Sequence, residues 1–340
     1  MPAAMQVLVF EPSYARIRQA LHASVPQLQA LRMQEDGRLL LDGGVVAPQD
    51  AAPQAAWVSS DLYSSPRLRD YMRACLESPA LRFLQSSAAG FDNPVFAKLV
   101  DRGVVLANSG AAAVGIAEFV LAAVLDLYQP QAQRRDAQRA AQWDRLPFRE
   151  IAGSCWLIIG VGHIGSEIAK RAQAFDAQVI GVRRSPTGNE PVHRMVAPAD
   201  LFEVLPLADV VVLAAPANRD SLKLVDAAFL ARVKRGAVLV NIARGALVDE
   251  AALLAGLDDD RPGAAVLDVF ETEPLPAESP LWAHPKLRVS GHVAAFGSGF
   301  VARNDTLFLT NIARLAKGQT PINLVDPQVV RQSVPGQARG

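Results

Sequence analysis

Cysteine is scarce in this 340-residue chain, which carries only Cys75 and Cys155. Two thiols cannot make a disulfide framework or a cysteine-rich zinc site, so both read as small hydrophobes in a reducing compartment, and no metal is expected. Net charge is missing as well, with Lys+Arg 34 against Asp+Glu 34. A neutral chain has no general attraction for phosphate backbones. The tightest basic cluster, Arg134, Arg135 and Arg139, is diluted by Gln and Ala, so no nucleic-acid partner is expected. The opening Met1-Pro-Ala-Ala-Met-Gln has no basic n-region, and the apolar run Val7–Phe10 is too short for a signal peptide. No stretch reaches the ~18–20 uncharged apolar residues that a membrane span needs. The expectation is a soluble, cytoplasmic protein without a membrane partner.

Apolar content is plentiful. Half of the residues are hydrophobic and 20% are charged, a globular composition that excludes disorder along most of the chain. The length exceeds what one compact core usually serves, so two domains are expected. Short apolar runs alternate with helical patterns from the start. Val7–Phe10, Ala56–Ser59, Leu81–Gln85 and Val104–Ala107 read as strands, and Tyr14–Ala23, Pro66–Leu76 and Pro94–Arg102 as helices. A second alternating series begins at Trp156, with strands at Trp156–Ile159, Gln178–Val182, Asp209–Leu213, Ala237–Asn241, Ala264–Leu267 and Leu287–Ser290. Asp226 and Asp249 are placed as helix N-caps. Ser298–Lys317 reads as one long helix, Pro321–Leu324 as a short extended piece, and the tail from Pro327 as loose. This alternation predicts two doubly wound α/β units with parallel sheets. Val114–Leu127 is apolar on almost every side, its only charges being Glu118 and Asp126. Such a helix must be buried all round, by an interdomain core or by a second subunit.

Gly160-Val-Gly162-His163-Ile164-Gly165 is a G-x-G-x-x-G element. Alone the pattern is weak, but here it follows an apolar strand and opens a helical segment, the context of a dinucleotide loop. In that context the first glycine makes the turn, the second admits a pyrophosphate, and the third lets helix pack on strand. An NAD-type loop places an Asp or Glu ~20 residues on, for the ribose 2′-hydroxyl. At that distance stand Arg183, Arg184 and Ser185 instead. Two guanidiniums and a hydroxyl suit a 2′-phosphate, so NADP(H) is expected ahead of NAD(H).

Three later strand ends carry polar residues: Asn241-Ile-Ala243-Arg244-Gly245-Ala-Leu-Val-Asp249, Asp268-Val-Phe-Glu-Thr-Glu273-Pro274, and Ser290-Gly291-His292. Together with the glycine loop, these segments resemble the D-isomer-specific 2-hydroxyacid dehydrogenase family in type, order and spacing. The resemblance implies a flavodoxin-like substrate domain (1–108, completed by 297–330), a Rossmann cofactor domain (109–296), a cleft between them, a loose tail (331–340), and a homodimer formed through the cofactor domain. It implies Arg244, Glu273 and His292 as the catalytic triad. It also implies a cofactor set of Gly160, Gly162, His163, Ile164, Gly165, Arg183, Arg184, Ser185, Ala215, Pro216, Ala243 and Asp268, with Asp268 near the nicotinamide carboxamide. The loop Ser86-Ser-Ala88-Ala89-Gly90-Phe-Asp92 resembles the family's substrate loop, so Ala88, Ala89 and Gly90, with Arg244 and His292, are the expected substrate ligands.

The residue types fit that chemistry in their own right. Reducing a 2-keto acid requires a proton at the keto oxygen, and imidazole, with an ordinary pKa near ~6.5, can cycle at neutral pH. A glutamate on the other ring nitrogen orients the imidazole, and a guanidinium holds the substrate's carboxylate or keto oxygen. Two departures from the family pattern stand out. Gly291 replaces the proline common before the catalytic histidine, which predicts a looser loop, and Asp176 replaces a helix-ending glycine, a left-handed position that Asp tolerates. The implied activity is NAD(P)H-dependent reduction of a small 2-keto acid, of the glyoxylate or hydroxypyruvate type, to a D-2-hydroxy acid. The alternative is a dinucleotide-sensing, corepressor-like binding protein of the same fold.

Overall fold

The computed structural model describes residues 5–333. They divide into two compact units, 5–112 with 298–333, and 113–297. The first unit contains a seven-stranded sheet in the order β4-β3-β2-β1-β5-β6-β7. Its strands are β1 (Gln6–Phe10), β2 (Gln29–Met33), β3 (Leu39–Leu41), β4 (Gly44–Val46), β5 (Ala55–Val58), β6 (Phe83–Ser86) and β7 (Val105–Ala107). Five pair in parallel, while β3 and β4 form an antiparallel edge hairpin. Parallel strands are covered on both faces, and β1 shows how. Leu8 and Phe10 enter one core with Tyr71, Leu99 and Val330, while Val7 and Val9 enter the other with Ile17, Leu21, Phe308 and Ile312.

The helix Phe300–Ala316 joins this unit, since Phe308 stacks on Trp57 at 4.3 Å. Asn311 locks it by donating to Gln85 Oε1 (2.8 Å) and accepting from the Ile322 amide (2.8 Å).

The second sheet is also seven-stranded, ordered β10-β9-β8-β11-β12-β13-β14 and parallel throughout. Its strands are β8 (Cys155–Ile159), β9 (Gln178–Val182), β10 (Arg194–Val196), β11 (Val210–Leu213), β12 (Val238–Asn241), β13 (Ala264–Leu267) and β14 (Leu287–Val289). The order reverses at β8, which places a switch point between the ends of β8 and β11, where such sheets bind ligands. Asp226 and Asp249 cap their helices by accepting from the Phe229 and Ala252 amides, and Asp176 adopts φ +59°.

Several expectations need correction. The first unit extends to residue 112 rather than 108, because the Ser109 amide donates to Ala88 O (3.1 Å) and Arg303 Nε to Ala111 O (2.8 Å). The tail is not loose from Pro327. Pro327–Gln332 is helical, capped by Asp326, and Val330 is buried in the first core. Residues 334–340 of the expected tail lie outside the described residues.

The helix Ala113–Tyr128 is not buried all round. Ile116, Ala117, Val120, Leu121 and Val124 are covered, in part by the helix His163–Ala174, while Glu118, Ala122 and Asp126 are exposed and Phe119 and Leu125 half-buried. Cys75 is buried and Cys155 half-buried. No single helix among the described residues is long and apolar enough to cross a membrane.

Candidate active site

The glycine turn follows β8. Gly160 has φ +101°, and a Cβ there would lie 2.5 Å from Ala215 N, so the turn closes directly on the end of β11. Gly165 packs against the Gly160 carbonyl so tightly that a Cβ would overlap it, whereas a Cβ at Gly162 would meet open space. The helix His163–Ala174 starts at Gly162 without a side-chain cap, which leaves amides and the positive end of its dipole for an anion. His163 is exposed and Ile164 half-buried on its first turn; Ala215 and Pro216 follow β11. This cradle fits the pyrophosphate of a dinucleotide.

Beyond β9, Arg183 Nη1 donates to Val161 O (2.8 Å) and to Glu190 Oε1 (2.7 Å). Arg184 pairs with the exposed Asp220 (3.0 Å), and Ser185 is exposed. Both arginines expected at the 2′ position thus sit in ion pairs.

The ends of β12, β13 and β14 carry the triad residues. His292 Nδ1 lies 2.8 Å from Glu273 Oε2, while Glu273 Oε1 accepts from the Phe270 amide (3.1 Å). The carboxylate is therefore held from behind while its other oxygen meets the imidazole. Arg244 follows β12 and donates from Nη1 to Ala243 O (2.6 Å). Gly245 permits what comes next: a Cβ there would overlap the Phe270 backbone, so the Arg244 loop rests directly on the segment leading to Glu273.

His292 has φ +54°, a left-handed conformation that costs a non-glycine residue roughly 1–2 kcal/mol. Asp268 sustains it. Its carbonyl accepts from the His292 amide (2.8 Å), and its buried carboxylate accepts from Ser290 Oγ (2.6 Å) and from the Val293 and Ala294 amides (2.9 and 3.0 Å). The loop after Gly291 is thus pinned rather than loose, a correction to the expectation from the missing proline.

Two of the polar residues that end apolar strands, Asn241 and Ser290, support the site without belonging to the expected set. Asn241, fully buried, donates to Arg244 O (2.9 Å) and accepts from the Ala243 amide (3.1 Å), which fixes the loop that Arg244 leaves from. Ser290 does the same for His292 through Asp268. A third, Glu250, accepts from the Glu271 amide at its carboxylate (2.7 Å) while its own amide donates to Glu271 Oε1 (3.2 Å), and burial pushes its carboxyl above the usual range. That pairing had no local sequence signature.

In the first unit, the loop after β6 is held by its own hydrogen bonds. The Ala88 amide already donates to Ser86 Oγ (3.1 Å), and the Ala88 and Ala89 carbonyls accept from the Ser109 amide and Asn108 Nδ2. Ser86 Oγ also shares a 2.8 Å hydrogen bond with the Tyr63 hydroxyl.

Comparison with known proteins places these features. Residues 121–294 match the family model for the D-isomer specific 2-hydroxyacid dehydrogenase NAD binding domain. A glyoxylate reductase of Aeropyrum pernix is 30% identical over 270 residues, covering 76% of this chain and 81% of that protein. Among solved structures, a D-isomer specific 2-hydroxyacid dehydrogenase from Xanthobacter autotrophicus, in complex with NADPH and MES, matches with a TM-score of 0.75 at 27% identity, covering 96% of this chain and 99% of that one. An NADPH-dependent glyoxylate/hydroxypyruvate reductase from Sinorhizobium meliloti, in complex with NADP and sulfate, matches with a TM-score of 0.72 at 25% identity over the same shares.

Proposed function

The chain belongs to the D-isomer-specific 2-hydroxyacid dehydrogenase family, and from that premise we propose that it reduces a small 2-keto acid, of the glyoxylate or hydroxypyruvate type, to the D-2-hydroxy acid, with NADPH preferred and NADH accepted. The observation that carries this reading is the His292–Glu273 pair at 2.8 Å, set in the same unit as the glycine cradle.

A reduced nicotinamide supplies the hydride for the keto carbon. The rest falls to the protein. His292 gives its Nε2 proton to the keto oxygen, and Glu273 on Nδ1 fixes the orientation of the ring. Arg244 holds the substrate oxygen on which negative charge develops. Asn241 and Asp268 keep the two loops in place, so little reorganisation is needed as charge shifts. Support for NADPH comes from Arg183 and Arg184 in place of a ribose-binding carboxylate, and from the NADPH and NADP held by the Xanthobacter and Sinorhizobium proteins.

The test is oxidation of NADPH and of NADH with glyoxylate, hydroxypyruvate, pyruvate and longer 2-keto acids. Turnover is expected with glyoxylate and hydroxypyruvate and is expected to be faster with NADPH. Tight nucleotide binding without turnover on any acid would turn the assignment toward a dinucleotide sensor.

The half-open face of helix Ala113–Tyr128 supports a homodimer, since the apolar Phe119 and Leu125 are only half-buried and Ala122 is exposed in one chain. Light scattering at micromolar concentration is expected to read twice the 36.3 kDa chain mass. A monomer would remove this interface.

A further inference from the structure

The segment after β9 contains a carboxylate that no part of the proposed reaction uses. Glu190 lies seven residues beyond Arg183 and folds back on it. Its Oε1 accepts from Arg183 Nη1 (2.7 Å), the Thr187 amide (2.7 Å) and the Thr187 hydroxyl (2.9 Å), and its Oε2 from the Gly188 amide (3.0 Å). The side chain is only 4% exposed although the surrounding loop is open to solvent. The Thr187 amide, followed by its hydroxyl and the Arg183 charge, holds the Glu190 carboxyl down at about 2, so it stays ionised at any working pH. Arg183 is in turn tied to the carbonyl of Val161, inside the glycine turn, which stations its guanidinium at the edge of the dinucleotide cradle.

We propose that Glu190 is the specificity-determining residue for the nucleotide's 2′ substituent: by neutralising Arg183 it tempers the attraction for a 2′-phosphate and lets the chain accept both NADPH and NADH. The physical reason is charge arithmetic. A phosphate approaching Arg183 meets a guanidinium whose field is largely cancelled by a carboxylate less than 3 Å away, and it is repelled by that carboxylate. A 2′-hydroxyl carries no charge and is nearly indifferent to the same pair. Arg183 meets both Val161 O and Glu190 through Nη1, so Glu190 sits on one side of the guanidinium fork. The pair of Arg184 with Asp220 differs, because both side chains are largely exposed and solvent screens them.

This inference rests on the assignment of Arg183 to the 2′ position, and the experiment separates the two. Dissociation constants of NADPH and NADH are measured by calorimetry or protein fluorescence for the wild-type chain and for Glu190→Gln, at low and at physiological salt. Glutamine keeps the acceptor oxygen for Thr187 and Arg183 while removing the charge. Glu190→Ala is measured alongside, and melting curves verify that both variants are folded.

NADPH is expected to bind Glu190→Gln about five- to tenfold more tightly than wild type, with a steeper loss on adding salt, while NADH changes less than twofold. Asp220→Asn is expected to move either nucleotide less than twofold. An equal shift for both nucleotides, or weaker NADPH binding in both Glu190 variants, overturns the proposal and makes Glu190 a brace for Arg183. The wild-type ratio reports separately on the NADPH preference: a chain that binds NADH more tightly, yet gains NADPH affinity in Glu190→Gln, loses that preference and keeps the role of Glu190.

Discussion

Replacing His292 with alanine is expected to lower kcat by ~10²–10⁴, the usual contribution of a positioned proton donor, with the Kd for NADPH within about twofold of wild type. The imidazole is the titratable group that the Glu273 carboxylate orients, through a 2.8 Å contact at Nδ1, which leaves Nε2 to meet a substrate oxygen. The cofactor cradle is built by Gly160–Gly165 and owes nothing to this side chain. Loss of turnover should therefore be separable from loss of nucleotide binding. Glu273→Gln sharpens the test. Its single amide oxygen cannot serve both the Phe270 amide and the ring, so the imidazole loses its fixed orientation and kcat should fall while nucleotide binding is unchanged. A His292→Ala protein that still turns over at the wild-type rate would dismiss the imidazole as acid. The reaction assigned to the chain would then need another proton source.

Gly160→Ala is expected to produce a large structural effect in the second unit. The residue has φ +101°, and its new Cβ would stand 2.5–2.6 Å from the backbone of Ala214 and Ala215. That neighbour is backbone at the end of a central strand, so relief requires β8 and β11 to part. The cost is on the order of 3–5 kcal/mol, from strain and overpacking together, which corresponds to a fall in Tm of roughly 10 °C for a unit of this size. Nucleotide binding is expected to disappear with it. Gly162→Ala is the contrasting variant, because its backbone is extended and its Cβ would enter open space. Its Tm should match wild type, while the methyl group stands where a pyrophosphate must approach and weakens both nucleotides about equally. If both variants melted alike, the distinction between a packing glycine and a ligand glycine would fail.

The edge hairpin of the first unit is legible in the sequence. Leu39–Leu41 and Gly44–Val46 flank Asp42-Gly43, and Asp-Gly between apolar runs is a strong short-range signal for a two-residue hairpin. Both residues have positive φ (48° and 86°), as such a turn requires. The hairpin adds β3 and β4 antiparallel to a sheet expected to be parallel. The edge strand β10 carried no comparable mark, since Arg194-Met-Val196 is three residues long and paired on one side only. The tail from Pro327 reads as loose because Gln, Pro and Gly dominate its composition. Pro327–Gln332 is helical because Val330 finds a place in the first core and Asp326 caps the turn that carries it there.

By itself, the order of residues determined the alternation of strand and helix, the glycine turn, and the chemical types at three successive strand ends. Each is a local property: a period, a spacing, or a side chain's intrinsic pKa and shape. Tertiary structure alone decided which partners those groups meet. The neutralisation of Arg183 by Glu190, the suspension of His292 from Asp268 and the seating of Gly245 on Phe270 depend on chain segments brought together by folding. Electrostatic and steric energies follow distance in space, and separation along the chain carries little information about that distance once a sheet has brought its strand ends together.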